Sequence, residues 1–497
     1  MRRLVITLSV LIVFALSVCA QNIEIRKPDV SQIIHLQATL NLFPVVERSE
    51  QVPRPGTRQL MVLSADKTHL VNAITNKPVF ISGDAAWSAI VELSSADAER
   101  YLSDRSSRGL NLLEVNLIER MYATNCKSCS YGCADLKGDC PFSGAAFSTP
   151  NEAYFAQADS FIRMAARHGI ALLLDILYLG GETNAGWYTE IQAASDSTIS
   201  NWGAYVGKRY KGFDNLIYTM GTDIDPRKTS PPLMTKMSEM ATALHAADPN
   251  HLITSKNGGG ESSLDVWSGY PWLEISDMYG ASNVTKLNNE YTRPDFIPFF
   301  MDEDAYENEH SSTPLRLRTR QYWSALSGAY LGSLFGNNPI WCYNETNSLS
   351  VVPCQNGLTW QSQLGSAGSV GQMWYGKLMR SREHWKMVPD IQHTVVTAGY
   401  GSGATLTVTA RTRDGQTIIS YIPKGNETTL KVDISKITSR TNLTKCWWFN
   451  PRDGSATLIG SFANSGTRDF APSDAKDWVL VIDDKDANLP PPGSADL

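Results

Sequence analysis

The chain has little excess charge of either sign. Its 44 basic and 50 acidic residues leave a net charge of −6 over 497 residues, so no basic face for nucleic acid is expected. After residue 20 no uninterrupted apolar run is long enough to cross a bilayer, and no membrane association of the mature chain is expected. Histidine is scarce, and there is no His-Glu-x-x-His pair, which argues against a zinc peptidase. None of the eight histidines stands beside an acidic cluster, so all are read as structural or surface residues. No glycine-rich phosphate turn follows the first candidate strand, where Gly83-Asp84-Ala85-Ala86-Trp87 stands instead; this argues against an open doubly wound sheet. Ala367-Gly368-Ser369-Val370-Gly371 mimics a nucleophile elbow but follows a loop, and is discounted. There is no internal repeat and no low-complexity tract. No cofactor and no metal are implied. A composition of 42% hydrophobic and 19% charged residues excludes wholesale disorder.

What is present begins with a leader. Arg2 and Arg3 precede an apolar run over 4–18, and Cys19-Ala20 offers a small-residue cleavage site before Gln21. Residues 1–20 are read as a secretory signal peptide and 21–57 as an N-terminal extension. The mature protein is expected to be secreted, or periplasmic in a Gram-negative host, and monomeric. Seven cysteines remain after cleavage. In an oxidising compartment Cys126, Cys129, Cys133 and Cys140 in one loop, and Cys342 with Cys354, are disulfide candidates, leaving Cys446 over. A zinc site in the four-cysteine loop is the weaker alternative, because the spacing fits no standard finger. Asn283, Asn344, Asn426 and Asn442 head glycosylation triplets.

A hairpin over 59–77 is followed by eight short apolar runs, at 79–82, 112–117, 171–177, 216–220, 252–255, 273–278, 297–301 and 339–342. Continuous rather than alternating runs suit parallel strands buried on both faces. Helical patterns lie between them, opened by Ser94 and Asn151, closed by Gly109 and Gly169, and continued over 232–247 and 316–331. The expected fold is α/β, a (β/α)8 TIM barrel over 58–389. Short strands at 404–410, 417–422, 430–434, 445–450, 456–459 and 478–482 predict an all-β sandwich over 390–487, and the proline-rich 488–497 a flexible tail.

In such barrels chemistry sits at the C-terminal strand ends. The polar residues there are Asp84, Glu119, Arg120, Tyr178, Asp223, Asp225, Lys256, Asn257, Asp277, Tyr279, Asp302, Glu303 and Asp304, with Trp87 and Trp341 beside them. Acidic clusters on strands four and seven fit glycoside hydrolysis, which needs two carboxyl groups, about 5–5.5 Å apart for retention and about 6.5–9.5 Å for inversion. A lone carboxylate at a strand end more often caps a helix or pairs on the surface; two clusters flanked by aromatic residues favour catalysis.

These residues resemble a family. Gly83-Asp84-Ala85-Ala86-Trp87, the run from Asn215 to Asp223, Glu303-Asp304-Ala305-Tyr306-Glu307, and Phe335-Gly336-Asn337-Asn338-Pro339-Ile340-Trp341 occur in the order seen in apiosidase-like glycoside hydrolases. Pro451-Arg452-Asp453-Gly454 and Asp477-Trp478-Val479-Leu480 resemble the collagen-binding-type domain that follows in that family. The resemblance spans about Arg58 to Asp484. It implies Asp223 as acid/base and Glu303 as nucleophile of a retaining pair. From their strand-end positions Asp84, Trp87, Asn257, Tyr279, Tyr306 and Trp341 are candidates for holding the sugar; the alternatives are that Asp84 bonds loop backbone, Trp87 packs under the barrel rim, and Trp341 and Tyr279 close the barrel. Ala85 stands where the family usually has Thr, and Lys256-Asn257 where it usually has a His-Pro-type loop. The expected function is a secreted glycosidase, exo-acting on pectic or related glycans, with a carbohydrate partner. The alternatives are a non-catalytic glycan- or matrix-binding protein and an endo-glycanase of another barrel clan.

Overall fold

A computed structural model describes residues 60–497, apart from 181–185, 281–282, 346–353, 355–356 and 426–428. The expected leader, the extension and the triplet at Asn426 lie outside the described residues.

The described chain opens with a small antiparallel sheet of β1 (Val62–Leu63), β2 (Leu70–Val71) and β3 (Pro78–Val79). Then come β4 (Ile81–Ala85), β5 (Leu112–Asn116), the hairpin β6 (Lys127–Ser128) and β7 (Cys133–Ala134), β8 (Ala171–Tyr178), β9 (Leu216–Gly221), β10 (Ser276–Tyr279), β11 (Phe299–Glu303) and β12 (Gly332–Phe335). Except for the hairpin these form one curled parallel sheet in the order β10-β11-β12-β4-β5-β8-β9. The expected fifth strand is reduced to two parallel bridges, Tyr218 to Ile253 and Gly221 to Lys256. Ser263 spans the gap to β10. Its hydroxyl donates to the Ser255 carbonyl at 2.6 Å and accepts from the Asp277 amide at 2.8 Å.

The eighth strand is a correction. It is Gly332–Phe335, and 339–342 forms turns instead. Gly332 sits so close to β4 that an added Cβ would fall 2.1 Å from the Ile81 carbonyl oxygen, so the strand starts with a residue that carries no hydrophobic signal. The helix expected over 316–331 runs Pro314–Leu326 and stops before Gly328, whose φ is 121°. Ser94 and Asn151 cap their helices as expected, accepting from the Asp97 and Ala153 amides.

Met61, just before β1, and Leu70 of β2 pack with Ile81, Leu112, Leu173, Ile217, Phe300 and Leu334. This apolar layer plugs the N-terminal end of the barrel. The other end is left for polar groups.

The C-terminal part adds β13 (Met387–Pro389), β14 (Val396–Ala398), β15 (Val408–Thr412), β16 (Thr417–Ile422), β17 (Leu430–Asp433), β18 (Leu443–Phe449), β19 (Ala456–Ala463), β20 (Thr467–Phe470) and β21 (Trp478–Asp484). They form a six-stranded antiparallel sheet, β13-β15-β16-β21-β18-β19, and a three-stranded one, β14-β17-β20. The central strands of the larger sheet bury both faces, while its edge strand β19 is half-buried or exposed throughout. Ile418, Leu480 and Ile482 meet the smaller sheet, while Ile419, Tyr421, Val479 and Val481 pack with Tyr322, Trp323, Tyr375 and Leu378 of two barrel helices. Matched ion pairs close this seam: Arg318 to Asp477 at 2.7 and 3.0 Å, and Arg382 to Asp483 by two bonds of 2.8 Å. The tail is docked rather than loose. Asp496 pairs with Arg380, and the Gly493 amide donates to Ser381.

The six candidate cysteines pair as Cys126–Cys133, Cys129–Cys140 and Cys342–Cys354, which removes the zinc alternative. Cys446 is free and buried. Asn344 is buried, and its amide donates to the Leu358 carbonyl, so no glycan fits there; Asn283 and Asn442 are exposed.

Candidate active site

Strand alternation stacks the barrel interior in layers. On β5, Leu112 belongs to the apolar plug, Glu114 to a charged layer above it, and Asn116 to a pocket above that. On β11, Phe300 lies in the plug and Asp302 in the charged layer. A register shift pairs Met278 with Met301 but Tyr279 with Glu303, so Asp302 is the extra residue of a bulge. The bulge lets two consecutive side chains, Asp302 and Glu303, reach the same cation. That cation is Lys256, fully buried, with its ammonium 3.1 Å from Asp302, 3.3 Å from Glu114 and 2.5 Å from Glu303 Oε2. It also sits 4.5 Å from the ring centre of Trp87 and 5.0 Å from that of Tyr279.

Above this layer a pocket of about 300 Å³ opens. Trp87, Tyr122, Tyr178, Tyr306 and Trp341 make its aromatic wall, with Tyr122 edge-on to both Tyr178 and Trp341. Asp223 and Glu303 both line it, together with Asn116, Glu309 and His310. Trp87 donates its indole N–H to the Tyr306 hydroxyl at 2.8 Å, and Trp341 donates to Glu309 at 2.8 Å. The Cys342–Cys354 bridge packs behind this wall. An added Cβ at Gly336 would meet the Tyr306 ring at 2.1 Å, so only glycine allows that ring its place.

Asp223 is presented by an uncommon turn. Gly221, Thr222 and Asp223 have φ of 104°, 66° and 64°. An added Cβ at Gly221 would lie 2.4 Å from the Lys256 carbonyl oxygen, and Thr222 is fixed by its hydroxyl bond to Asp175 at 2.7 Å. Positive φ at a β-branched residue costs about 1–3 kcal/mol and is tolerated where surrounding contacts over-determine it. Asp223 Oδ2 accepts from the Tyr178 hydroxyl at 2.8 Å. Tyr279 reaches both acids, with its hydroxyl 3.5 Å from Glu303 Oε1 and hydrogen-bonded to Asp223.

Carboxyl groups outnumber cations here, and burial sets their protonation. It pushes Glu114 and Asp277 well above the usual carboxylate range despite Lys256, and Asp175 up to about 7. Glu303 is raised to about 8 by burial, with Lys256 pulling the other way. Burial disfavours the Lys256 charge, but Asp302, Glu114 and Glu303 more than offset this, and it stays protonated.

Two sugar-binding candidates fall outside the pocket. Asp84 is fully buried, accepts from Tyr101 at 2.7 Å and lies 3.3 Å from Arg105, tying β4 to the helix Ser95–Ser107. Asn257 donates to the Ser262 carbonyl and accepts from Trp267, shaping its own loop. Asp225 and Asp304 are taken by Arg227 and Arg320, and Glu119 receives the three amides of residues 120–122. Trp87, Tyr306 and Trp341 line the pocket, and Tyr279 touches both acids. Tyr122, Glu309 and His310 are not legible in the sequence, because they stand on loops. His310 corrects the reading of all histidines as remote from the acids.

The barrel sequence matches a family model over residues 64–386, described as the apiosidase-like catalytic domain. The chain belongs to this apiosidase-like family. It is a glycosidase. Residues 388–483 match a second model, described as "Putative collagen-binding domain of a collagenase". Among solved structures, one titled simply glycoside hydrolase is similar at 20% identity and a TM-score of 0.73, covering 87% of this chain and 98% of its own. A glycoside hydrolase family 5 protein from Bacteroides vulgatus ATCC 8482 is similar at 20% identity and a TM-score of 0.73, covering 86% and 93%. These two show that the apiosidase-like chain shares its whole two-part fold with glycoside hydrolases. Comparison with curated protein sequences returns no significant match.

Proposed function

We propose that this apiosidase-like protein is a secreted, retaining, exo-acting glycosidase that removes a terminal sugar from pectic or related plant cell-wall glycans. The observation that carries this reading is one pocket lined by both Asp223 and Glu303 and walled by five aromatic rings. At about 300 Å³ its size sits at the low end of ligand pockets, which suits one small sugar at a chain end. Aromatic faces stack on the apolar faces of sugars, and Asn116 and Glu309 offer partners for hydroxyl groups. The three disulfides, and the absence of any membrane-crossing helix among the described residues, fit an extracellular protein.

In the first step Glu303 Oε1 attacks the anomeric carbon while Asp223 gives its proton to the glycosidic oxygen, and the bond to the leaving group breaks. In the second, Asp223 takes a proton from water, the water oxygen bonds the anomeric carbon, and the ester to Glu303 breaks. The Tyr279 hydroxyl, in reach of both acids, brings the two carboxyl groups to one substrate. Purified protein is tested on pectic fragments and aryl furanosides and pyranosides beside Glu303→Gln. Sugar release by the wild type alone supports the reading; equal release by both proteins overturns it.

A further inference from the structure

Lys256 is not one of the two acids, yet three carboxyl groups crowd its ammonium. Every element around it contributes a group. Trp87 comes from the loop after β4, Glu114 from β5, and Asp175 from β8. Asp223 follows β9, Asp277 and Tyr279 come from β10, Asp302 and Glu303 from β11, and Tyr306 from the loop beyond. Resting on the assignment of Glu303 as nucleophile, we propose that Lys256 is a positioning residue: its ammonium grips Glu303 Oε2, pulls that group toward its ionised form against burial and the competing carboxyls, and leaves Oε1 to attack the sugar.

The geometry divides the labour between the two oxygens. Oε2 is 2.5 Å from the ammonium, and Oε1 has only the long 3.5 Å approach of Tyr279. A carboxylate in an apolar, aromatic-walled site reverts to its neutral form unless a cation stands beside it. When Glu303 becomes an ester it loses its negative charge. Asp302, 3.1 Å away, remains against the ammonium at that stage, with the Glu114 carboxyl 3.3 Å away as a hydrogen-bond partner, so the cation is never left uncompensated. When the ester breaks, the returning charge on Glu303 is met again by Lys256. The bulge that brings Asp302 and Glu303 to one cation is the structural device that permits this exchange.

The readout is the acid limb of kcat/KM, which reports ionisation of the nucleophile in the free enzyme. Lys256→Met moves that limb to higher pH by at least about one unit, so activity below the limb falls at least about tenfold. Lys256→Arg restores the limb toward the wild-type position. Asp302→Asn keeps the cation and removes a competing carboxylate, so it moves the limb the opposite way, to lower pH. This variant tests the proposal even where Lys256→Met does not fold. An unmoved limb in Asp302→Asn, or in folded Lys256→Met, overturns the proposal while Glu303→Gln stays inactive. A fully active Glu303→Gln overturns the nucleophile assignment itself, and the two failures are thereby distinguished.

Discussion

At the seam between barrel and sandwich, Arg382 meets Asp483 through two bonds of 2.8 Å, and Arg318 meets Asp477 at 2.7 and 3.0 Å. At the barrel centre a single ammonium, Lys256, faces Glu114, Asp302 and Glu303 at once. Both places are buried and both use a cation with carboxylates. The seam gives every carboxylate a guanidinium, Arg382 on Asp483 and both Arg318 and Arg452 on Asp477, with planar forks that fix orientation. The centre leaves carboxyls in excess, so protonation there responds to the surroundings. Matched buried charge holds a fold together. Unmatched buried charge beside a pocket is where proton transfer and nucleophilic attack can be run. Arg105 with Asp84 belongs to the first kind, which is why Asp84 drops out of the site despite its place at a strand end.

The comparison breaks most sharply at the two acids. Glu303→Gln is expected to fold normally and to lose about 10⁴-fold or more in kcat. Asp223→Asn should lose about 10²–10⁴-fold, less on aryl glycosides whose leaving groups need little proton help. Circular dichroism beside initial rates checks both.

The next largest effect belongs to the seam. Asp477→Ala strands Arg318, which is buried, and should cost about 3–5 kcal/mol of stability, read as a lower melting temperature. Rates measured well below that temperature should stay near wild type. Replacing Arg318 and Asp477 together by Leu should recover part of the loss, because no buried guanidinium is then stranded at position 318, while the part-exposed Arg452, 3.1 Å from Asp477, still loses its partner. A large rate loss in folded Asp477→Ala would contradict the division between seam and site.

The smallest effect is the pH dependence of stability. Burial raises Asp84 to about 6, Asp175 and Glu92 to about 7, and Glu303 to about 8, so the folded chain binds these protons more tightly than the unfolded chain. Their contribution is present in full below the ordinary carboxylate range and is lost as pH rises through about 6 to 8. His384, held neutral by burial with its pKa lowered to about 3, and His69, also lowered by burial, act oppositely below about pH 6.5, but the raised carboxyls, Glu114 and Asp277 among them, outnumber them. Thermal melts should therefore give a higher melting temperature at pH 5.5 than at pH 8. In Glu303→Gln that difference should shrink. A higher melting temperature at pH 8 would contradict the assignment of these carboxyls.

How far the sequence leads follows from the same physics. Strands such as Ala171–Tyr178 and Leu216–Gly221 announce themselves because both faces are buried and nearly every residue is apolar. Gly332–Phe335 gives no such signal because close approach to β4 demands glycine, while residues 339–342 are apolar for another reason: they back the pocket wall. Asp223 and Glu303 stand at strand ends and are legible. Asp84 also stands at a strand end, but on the opposite face: Ile81 and Ala85 pack toward the interior, so Asp84 faces the helix. Lys256 is visible at a strand end, but its partners come from β5 and β11, and no local pattern links them. Glu309 and His310 reach the pocket through a loop in which Asn308, His310 and Ser311 all have positive φ, which residue type alone does not reveal.

The central claim is that Glu303 forms a covalent glycosyl ester. The direct measurement is mass spectrometry of the protein after incubation with an activated 2-deoxy-2-fluoro derivative of the sugar it releases, followed by peptide mapping. The account predicts a single added sugar on the peptide that carries Glu303, absent in Glu303→Gln. An adduct on another carboxylate, or turnover with an inverted anomer and no adduct, would contradict it.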